Sequence, residues 1–360
     1  MRPNNTRSET ANICESWDFN GMSSQTINFG VIGCGRIGRI HAENLATRID
    51  GARLIALADV ALPAARELAA RLHVQKASAD YSELLADSAL DAVLICSSTD
   101  THSRIIQEAA AAKKHIFCEK PIDYDLARIH AALAAVEKAR VKLQIGFNRR
   151  FDPSFAKVRE LVTNGAIGQP HIIRITSRDP EPPSLEYIKV SGGIFLDMTI
   201  HDFDMVRFLS GSEAEEIYAI GDALIDPAIR EAGDVDTAIV TMRLKSGALA
   251  TIDNSFKADY GYDQRIEIFG SKGSASAGNR TPDEHLLMDA QGLHHAKPLY
   301  FFLERYAEAY VLEMRAFVEA VLKDETPSVT GREGLQAVVM GLAATRSLHE
   351  GRPVRLSEII

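Results

Sequence analysis

The sequence predicts an α/β fold in two parts: a doubly wound parallel sheet first, then an α+β domain with a largely antiparallel, open sheet. Two observations support this prediction. Short apolar runs alternate with helical patterns from residue 27 to about 148, which is typical of a parallel sheet covered on both faces. Beyond about residue 150, strand-like runs of alternating polarity follow one another, and Lys245-Ser246-Gly247 is a hairpin turn between two of them.

Composition and charge narrow the class of protein. The 360 residues suffice for two domains with separate cores, and 46% hydrophobic with 25% charged residues is ordinary for a globular chain. A net charge of -9 with dispersed basic residues argues against nucleic-acid binding, and no apolar segment approaches the roughly 20 residues that cross a bilayer. Four cysteines without metal-type spacing indicate reduced thiols in a cytoplasmic protein: Cys14, Cys34, Cys96 and Cys118.

The predicted organisation is a flexible tail over residues 1–26, rich in Ser, Thr and Asn, then a parallel-sheet domain over 27–148 and an α+β domain over 149–360. In the first domain we predict strands at 29–32, 53–58, 92–95, 115–118 and 142–146, and helices at 40–46, 63–72, 103–113 and 126–139. In the second we predict strands at 171–177, 216–220, 237–244, 248–256 and 265–269, and helices at 154–162, 304–322 and 334–349.

Three spaced glycines connect the first strand to the first helix. In the segment Gly33-Cys34-Gly35-Arg36-Ile37-Gly38, the first glycine permits a tight turn, the second admits a pyrophosphate, and the third allows close helix packing. The second strand is followed by Asp59, whose carboxylate can accept both hydroxyls of an adenosine ribose and would repel a 2′-phosphate. The segment is therefore a Rossmann fingerprint for NAD, with Arg36 and Ile37 beside the phosphates.

Polar residues also follow the strand at 92–95. Ser97, Thr99 and His102 lie at the same sheet edge as the glycine loop, so we expect them to line the nicotinamide ribose. Helix capping by Asp100 or Thr101 is a competing explanation for this segment.

A lysine ends another parallel strand. In Cys118-Glu119-Lys120-Pro121 the proline restricts Lys120 to an extended conformation, which directs its side chain toward the crevice where ligands bind in open α/β sheets. The alternative is a solvated loop lysine.

A third motif follows Gly192 and Gly193. It predicts a helix that carries Asp197, His201 and Asp204 at i, i+4 and i+7 on one face. A carboxylate one turn from a histidine can hold its ring and raise its proton affinity, and histidine exchanges protons near neutral pH. A surface charge pair and a divalent-metal site are the alternatives, but the chain lacks a companion ligand cluster, so we predict no metal.

Taken in chain order, these motifs resemble the glucose–fructose oxidoreductase/inositol dehydrogenase/MocA family over nearly the whole chain from residue 27. The segments 146–152 and 195–204 are most similar to those of inositol 2-dehydrogenases. The resemblance implies an NAD-dependent homotetramer that oxidises a cyclic polyol, with myo-inositol converted to 2-keto-myo-inositol (scyllo-inosose). Alternative readings are a dehydrogenase of a pyranose sugar or another inositol isomer, and a non-catalytic NAD-binding regulator.

The resemblance also implies roles for individual residues. His201 is expected to be the general base, Lys120 to donate a hydrogen bond to the reacting oxygen, and Asp197 to orient one of these two. Glu119 and Lys120 are expected near the cofactor. Substrate contacts are expected from these catalytic residues and from Asn148, Arg149, Asp204 and Tyr260.

Overall fold

The computed structural model describes residues 26–360, so the predicted tail lies, except for Thr26, outside the described residues. The first sheet has six parallel strands in the order β3-β2-β1-β4-β5-β6. They are β1 (Ile27–Ile32), β2 (Ala52–Ala58), β3 (Lys76–Ser78), β4 (Ala92–Ile95), β5 (His115–Glu119) and β6 (Leu143–Gly146). This order reverses direction at β1 and β4, which places the ligand crevice at their carboxyl ends.

Five helices connect these strands: α1 (Arg36–Thr47), α2 (Leu62–Leu72), α3 (Ser82–Leu85), α4 (Thr99–Ala111) and α5 (Leu126–Ala139). The parallel, doubly wound prediction is confirmed. Sequence reasoning missed β3 and α3, because a three-residue strand and a single helical turn are too short to show a period. It also began α4 at residue 103, one turn too late, since the polar first turn carries no apolar periodicity.

The second sheet is mixed, with the order β12-β11-β7-β10-β9-β8-β15, and only its β7–β10 pair is parallel. The strands are β7 (Pro170–Arg178), β8 (Ala214–Asp222), β9 (Thr237–Leu244), β10 (Leu249–Ser255), β11 (Asp263–Gly270), β12 (Gly273–Ala277) and β15 (Val354–Arg355). A separate exposed hairpin is formed by β13 (Leu286–Asp289) and β14 (Gly292–His295). The largely antiparallel prediction is confirmed.

Helices cover one face of this second sheet and leave the other face open. The helices of the second half of the chain are α6 (Pro153–Thr163), α7 (Leu185–Ser191), α8 (Ile194–Asp197), α9 (Thr199–Ser210), α10 (Pro227–Glu231), α11 (Phe302–Arg305), α12 (Ala307–Leu322) and α13 (Gly331–Glu350). Along β9 buried and exposed side chains alternate strictly, as expected for a sheet with one covered face. The open face still carries exposed apolar side chains, among them Tyr218, Ile220, Ile239, Leu249 and Phe269.

Two helices predicted as continuous are interrupted. The predicted helix at 304–322 divides at Tyr306 into α11 and α12, and the predicted helix after Gly193 divides at Met198 into α8 and α9. Both linking residues are nearly fully buried apolar side chains. The sequence pattern stays periodic across both breaks, so the interruption is set by packing rather than by a helix-breaking residue.

The long helix α12 packs against the first sheet although it belongs to the second half of the chain. Val311, Met314, Phe317 and Val318 share a core cluster with strand residues of β1 such as Phe29. The boundary predicted at 148/149 therefore separates the two sheets, but the core of the first domain is completed by a helix from the second.

None of the helices within residues 26–360 is long and apolar enough to span a membrane. Over the same range Cys34, Cys96 and Cys118 are free thiols.

Candidate active site

The glycine loop between β1 and α1 leaves open space at one of its three glycines. A Cβ on Gly33 would lie 2.5 Å from the Cys96 backbone, and a Cβ on Gly38 would lie 1.9 Å from the Gly33 carbonyl oxygen. A Cβ on Gly35 would meet no atom of residues 26–360 within 4 Å. The first and third glycines therefore close the turn, and the second presents bare backbone to a pyrophosphate.

Asp59 stands beside this loop at the end of β2. Its Oδ2 accepts a hydrogen bond from the Cys34 backbone N–H at 2.7 Å, and its Oδ1 accepts one from Ala61 at 2.8 Å. These bonds fix the carboxylate where the adenosine ribose lies in this fold and leave lone pairs for its hydroxyls. The Cys34 side chain is buried behind the loop, and this burial raises the pKa of its thiol to about 12.

The loop also touches the second domain. The Arg36 guanidinium lies 5.8 Å from the ring centre of Phe301, and Ile37 packs against the core of the second domain. The dinucleotide cleft therefore lies between the two domains.

Of the three residues expected at the nicotinamide ribose, His102 is turned away from the cleft. Its side chain is buried, with Nδ1 2.8 Å from the Pro121 carbonyl oxygen and Nε2 3.0 Å from that of Ser97. Burial lowers the pKa of His102, the two carbonyl contacts oppose this shift, and the buried ring lies between two strand-end loops. Ser97 and Thr99 remain at the end of β4, and the Ser97 hydroxyl shares a hydrogen bond with Thr101.

Glu119 turns toward α1, a contact that the sequence analysis did not foresee. Its Oε1 lies 2.7 Å from His41 Nε2, and Glu313 of α12 lies 3.9 Å from the same nitrogen. Both carboxylate oxygens of Glu313 are buried and lack a hydrogen-bond partner within residues 26–360. Burial and the charge of Glu119 raise the pKa of Glu313 well above its usual value, which favours its protonated form.

His41, Glu119 and Glu313 form the one group in the described part of the chain whose ligand atoms lie close enough to share a metal ion. A protonated Glu313 accounts for this close approach without an ion. The absence of a metal accordingly stays a prediction.

Lys120 reaches across the cleft to the second domain. Its Nζ donates to the Asp197 carbonyl oxygen at 2.8 Å and to Asp197 Oδ1 at 3.1 Å. Tyr187 of α7 donates its hydroxyl to the same Oδ1 at 3.0 Å, and burial together with Asp197 raises the pKa of this phenol. Asp197 therefore orients Lys120, which is one of the two partners that the sequence analysis considered.

The expected Asp197–His201 pairing is wrong, because Asp197 ends α8 and its carboxylate is held by Lys120 and Tyr187. The direction expected for the proton affinity is also wrong: burial, Lys120 and Arg149 lower the pKa of His201 well below its usual value. His201 is therefore neutral near pH 7, the form that accepts a proton. Its Nδ1 is buried without a partner in the described residues, which leaves Nε2 to face the cleft.

Asn148 and Arg149 follow β6 in a short 3₁₀ turn, and both are buried. Arg149 Nη1 donates to Asp202 Oδ1 at 2.6 Å and to the Ser177 hydroxyl at 3.0 Å. Since Arg149 depresses the pKa of His201, the guanidinium lies close to the histidine.

Asp179 is a site residue that sequence reasoning missed. It comes directly after β7, and burial raises its pKa to about 7, with Asp197 and Asp202 adding to the rise and Arg149 and Lys120 opposing it. The charges of four residues of the candidate site therefore all act on the Asp179 carboxyl group. The position of this carboxylate directly after a strand could have indicated a site residue. However, the rule that ligands bind at the carboxyl ends of strands applies to parallel sheets, and β7 lies in the mixed sheet.

Two expected substrate residues are engaged elsewhere. Both carboxylate oxygens of Asp204 accept hydrogen bonds from Arg150, at 2.6 and 2.7 Å, and the side chain is buried. The structure therefore does not bring Asp204 together with Asp197 and His201. Tyr260 is half-exposed, and its hydroxyl donates to Asp263 and accepts from Arg178, at the rim where β7 ends.

A neutral histidine and a lysine ammonium at the edge of a dinucleotide cleft suit the removal of a proton and a hydride from one hydroxyl-bearing carbon, which is the chemistry of NAD-dependent oxidoreductases. Comparison with protein families agrees. Residues 27–147 match the oxidoreductase family with an NAD-binding Rossmann fold, and residues 155–276 match the GFO/IDH/MocA C-terminal domain. The chain belongs to the GFO/IDH/MocA family, and its cofactor is NAD.

Three relatives illustrate the similarity. Myo-inositol 2-dehydrogenase from Thermotoga maritima is 54% identical over 93% of this chain and 100% of its own length. Inositol 2-dehydrogenase from Rhizobium meliloti is 46% identical over 92% of this chain and 100% of its own length. The crystal structure of scyllo-inositol dehydrogenase from Lactobacillus casei, with bound NAD(H) and scyllo-inositol, aligns with a TM-score of 0.87 at 32% identity, covering 92% of this chain and 100% of that one.

Proposed function

We propose that this protein oxidises a ring hydroxyl of a cyclic polyol with NAD, and that it converts myo-inositol to 2-keto-myo-inositol. The observation that carries the proposal is the meeting of Lys120 and Asp197 across the cleft, close to a neutral His201. Relatives with 46% and 54% identity, named as inositol 2-dehydrogenases, support the choice of substrate.

The cofactor site fits NAD, because the glycine loop is open at Gly35 and Asp59 stands where the ribose hydroxyls would bind. Bound NAD supplies the hydride acceptor. His201 Nε2 takes the hydroxyl proton, and the Lys120 ammonium donates a hydrogen bond to the reacting oxygen as its negative charge develops. Asp197 and Tyr187 hold Lys120 in place throughout.

The charge of the cleft suits an uncharged substrate. The cations Lys120 and Arg149 are matched by the carboxylates of Asp197 and Asp202. Asn148 and Asp179 add groups that exchange hydrogen bonds with ring hydroxyls. Asp204 is left out of this pocket, because Arg150 occupies both of its oxygens.

A second candidate substrate is scyllo-inositol, which differs from myo-inositol in the orientation of one hydroxyl. The Lactobacillus casei structure with bound scyllo-inositol favours it at 32% identity. Both candidates use the same acid and base, so substrate preference depends on contacts to the remaining hydroxyls.

We also propose that the open face of the second sheet is covered by another copy of the chain in a homotetramer. Its exposed apolar side chains include Ile220, Ile239, Leu249 and Phe269, at 44 to 49% exposure. Exposed apolar side chains on an uncovered sheet face are typical of an interaction surface.

Steady-state assays with a panel of inositols and aldoses, each with NAD and with NADP, test the proposal. We expect NADH formation with myo-inositol and a clear preference for NAD, because the Asp59 carboxylate repels a 2′-phosphate. Higher kcat/KM with scyllo-inositol or an aldose would correct the substrate. No activity with any polyol would contradict the proposed reaction.

A further inference from the structure

Asp202 is a buried carboxylate that lies next to His201 in the chain and contacts a residue of the candidate site. Its side chain is fully buried. Oδ1 accepts a hydrogen bond from Arg149 Nη1 at 2.6 Å, and Oδ2 accepts one from Asn254 Nδ2 at 2.8 Å. Both carboxylate oxygens are therefore engaged, one by a site residue and one by a strand of the second sheet.

The hydrogen bonds around Asp202 and Arg149 continue onto three strands of the second sheet. Asn254 on β10 also accepts from the Thr199 hydroxyl at 2.6 Å, which ties the strand to the first residue of α9. Ser177 on β7, the second partner of Arg149, donates its own hydroxyl to Gln264 on β11 at 2.6 Å. Arg149 follows β6 of the first sheet, but the two groups that accept its hydrogen bonds, Asp202 and Ser177, both belong to the second domain.

Burying an arginine without an acceptor is costly, and a guanidinium with several rotatable bonds has many other positions open to it. Asp202 lowers the cost of burial by neutralising the positive charge of Arg149. Its hydrogen bond also fixes Nη1 of the planar guanidinium and so restricts the side chain to one position. The guanidinium is then held in one orientation against the Asp202 carboxylate and the Ser177 hydroxyl, and its other N–H groups keep their capacity to donate.

We propose that Asp202 is a positioning residue that holds Arg149 in the geometry needed to hydrogen-bond a ring hydroxyl of the substrate. The proposal rests on the proposed polyol oxidation, since it assigns Arg149 to substrate. Asp202 itself touches neither substrate nor cofactor. Its effect is expected on substrate affinity and on the charges around His201, with little effect on NAD binding.

Asp202→Asn keeps the shape of the side chain and removes its charge. We expect KM for the polyol to rise by about 10- to 100-fold, as for loss of a charge-assisted hydrogen bond, while KM for NAD stays within about twofold. Loss of the negative charge also favours ionisation of Asp179, so the acidic limb of the kcat/KM profile should move to lower pH. A merely structural role would lower the melting temperature and leave the polyol KM close to the wild-type value.

Glu213→Gln is the matched control. Like Asp202, Glu213 forms an ion pair with an arginine, in this case Arg207 of α9 at 2.6 Å. It should leave the polyol KM and the pH profile unchanged. If Asp202→Asn does not fold, Ser177→Ala removes the other Arg149 contact and should raise the polyol KM by about threefold or more.

An unchanged polyol KM and pH profile in a folded Asp202→Asn variant would overturn the positioning role while the wild-type activity stands. If the wild type oxidises no polyol, the proposed function fails instead. In that case crystal structures of both proteins decide the positioning role. A displaced Arg149 guanidinium in Asp202→Asn supports it, and an unmoved one refutes it.

Discussion

Lys120 and Asp197 belong to different domains, and the Lys120 ammonium donates to both the carbonyl oxygen and the carboxylate of Asp197, at 2.8 and 3.1 Å. Lys120 follows β5 of the parallel sheet, and Asp197 ends α8 in the second domain. Both side chains keep some exposure, 15% and 21%, so they are held in place without being sealed from a substrate. The Lys120–Asp197 pair therefore forms only when the two domains are docked.

His201→Ala should lower turnover by about 10²- to 10⁴-fold, because a positioned proton acceptor is lost. NAD affinity and melting temperature should stay close to those of the wild type. Lys120→Met should also lower turnover, and the double variant should lose less than the product of the two single effects, since both residues act on one proton transfer. All three quantities are to be measured on the same preparations. Near-normal turnover of folded His201→Ala would remove His201 from the catalytic assignment.

The pH dependence of the wild type should reflect Asp179 rather than His201. The pKa of His201 lies well below its usual value, so this residue is already deprotonated at neutral pH, whereas Asp179 has a pKa of about 7. We expect kcat/KM for the polyol to rise through about pH 7 as the Asp179 carboxylate forms and accepts a substrate hydroxyl. In Asp179→Asn this rise should be absent, and kcat/KM for the polyol should stay at the low value that the wild type has below pH 7. Asp222→Asn, which changes an exposed carboxylate paired with Arg230, is the control.

The same variant has a predicted effect on stability. A carboxyl group whose pKa is raised on folding binds its proton more tightly in the folded state, so its contribution to stability declines as pH rises from about 4 to about 7. Asp179→Asn should therefore raise the melting temperature more at pH 8 than at pH 5. Equal shifts at both pH values would show that Asp179 titrates normally.

Glu313→Gln tests the protonated state of the buried carboxyl group beside His41. Because folded Glu313 holds its proton at neutral pH, the amide should be tolerated, and its melting temperature relative to the wild type should increase from pH 5 to pH 8. Glu319→Gln, on the exposed side of the same helix, should show no such trend. Elemental analysis of the wild type should find no stoichiometric metal. One bound ion per chain that is lost in Glu313→Gln would contradict the protonated assignment.

The sequence predicted the chemistry of the site better than its contacts. The glycine spacing and the position of Asp59 identify the cofactor cleft because they depend on local backbone geometry. The contacts of Asp197 depend on the break at Met198 and on the approach of Lys120 from the other domain, and neither has a local signal in the sequence. The contacts of His102 could not be predicted from the sequence either. Its position near a strand end suggested a ligand contact, but its ring nitrogens lie against two backbone carbonyl groups.

The proton affinity of His201 could not be predicted from the sequence either. A carboxylate four residues away suggests a raised pKa, whereas burial and two cations from distant parts of the chain lower it. Asp179 illustrates the complementary case, since its raised pKa arises from burial in a cleft formed by both domains.

Phe317 of α12 sits between Phe29 and Phe117, with ring centres 6.2 and 5.9 Å away, on the first sheet. During synthesis, Phe117 and Phe29 leave the ribosome 200 and 288 residues before Phe317 does. One face of the nascent nucleotide-binding sheet must therefore stay uncovered until the chain is nearly complete. Such long-range closure slows folding and exposes apolar surface to chaperones and to other chains. A fragment ending after β6 would retain that uncovered face permanently, so the two halves of this enzyme are expected to unfold as one cooperative unit.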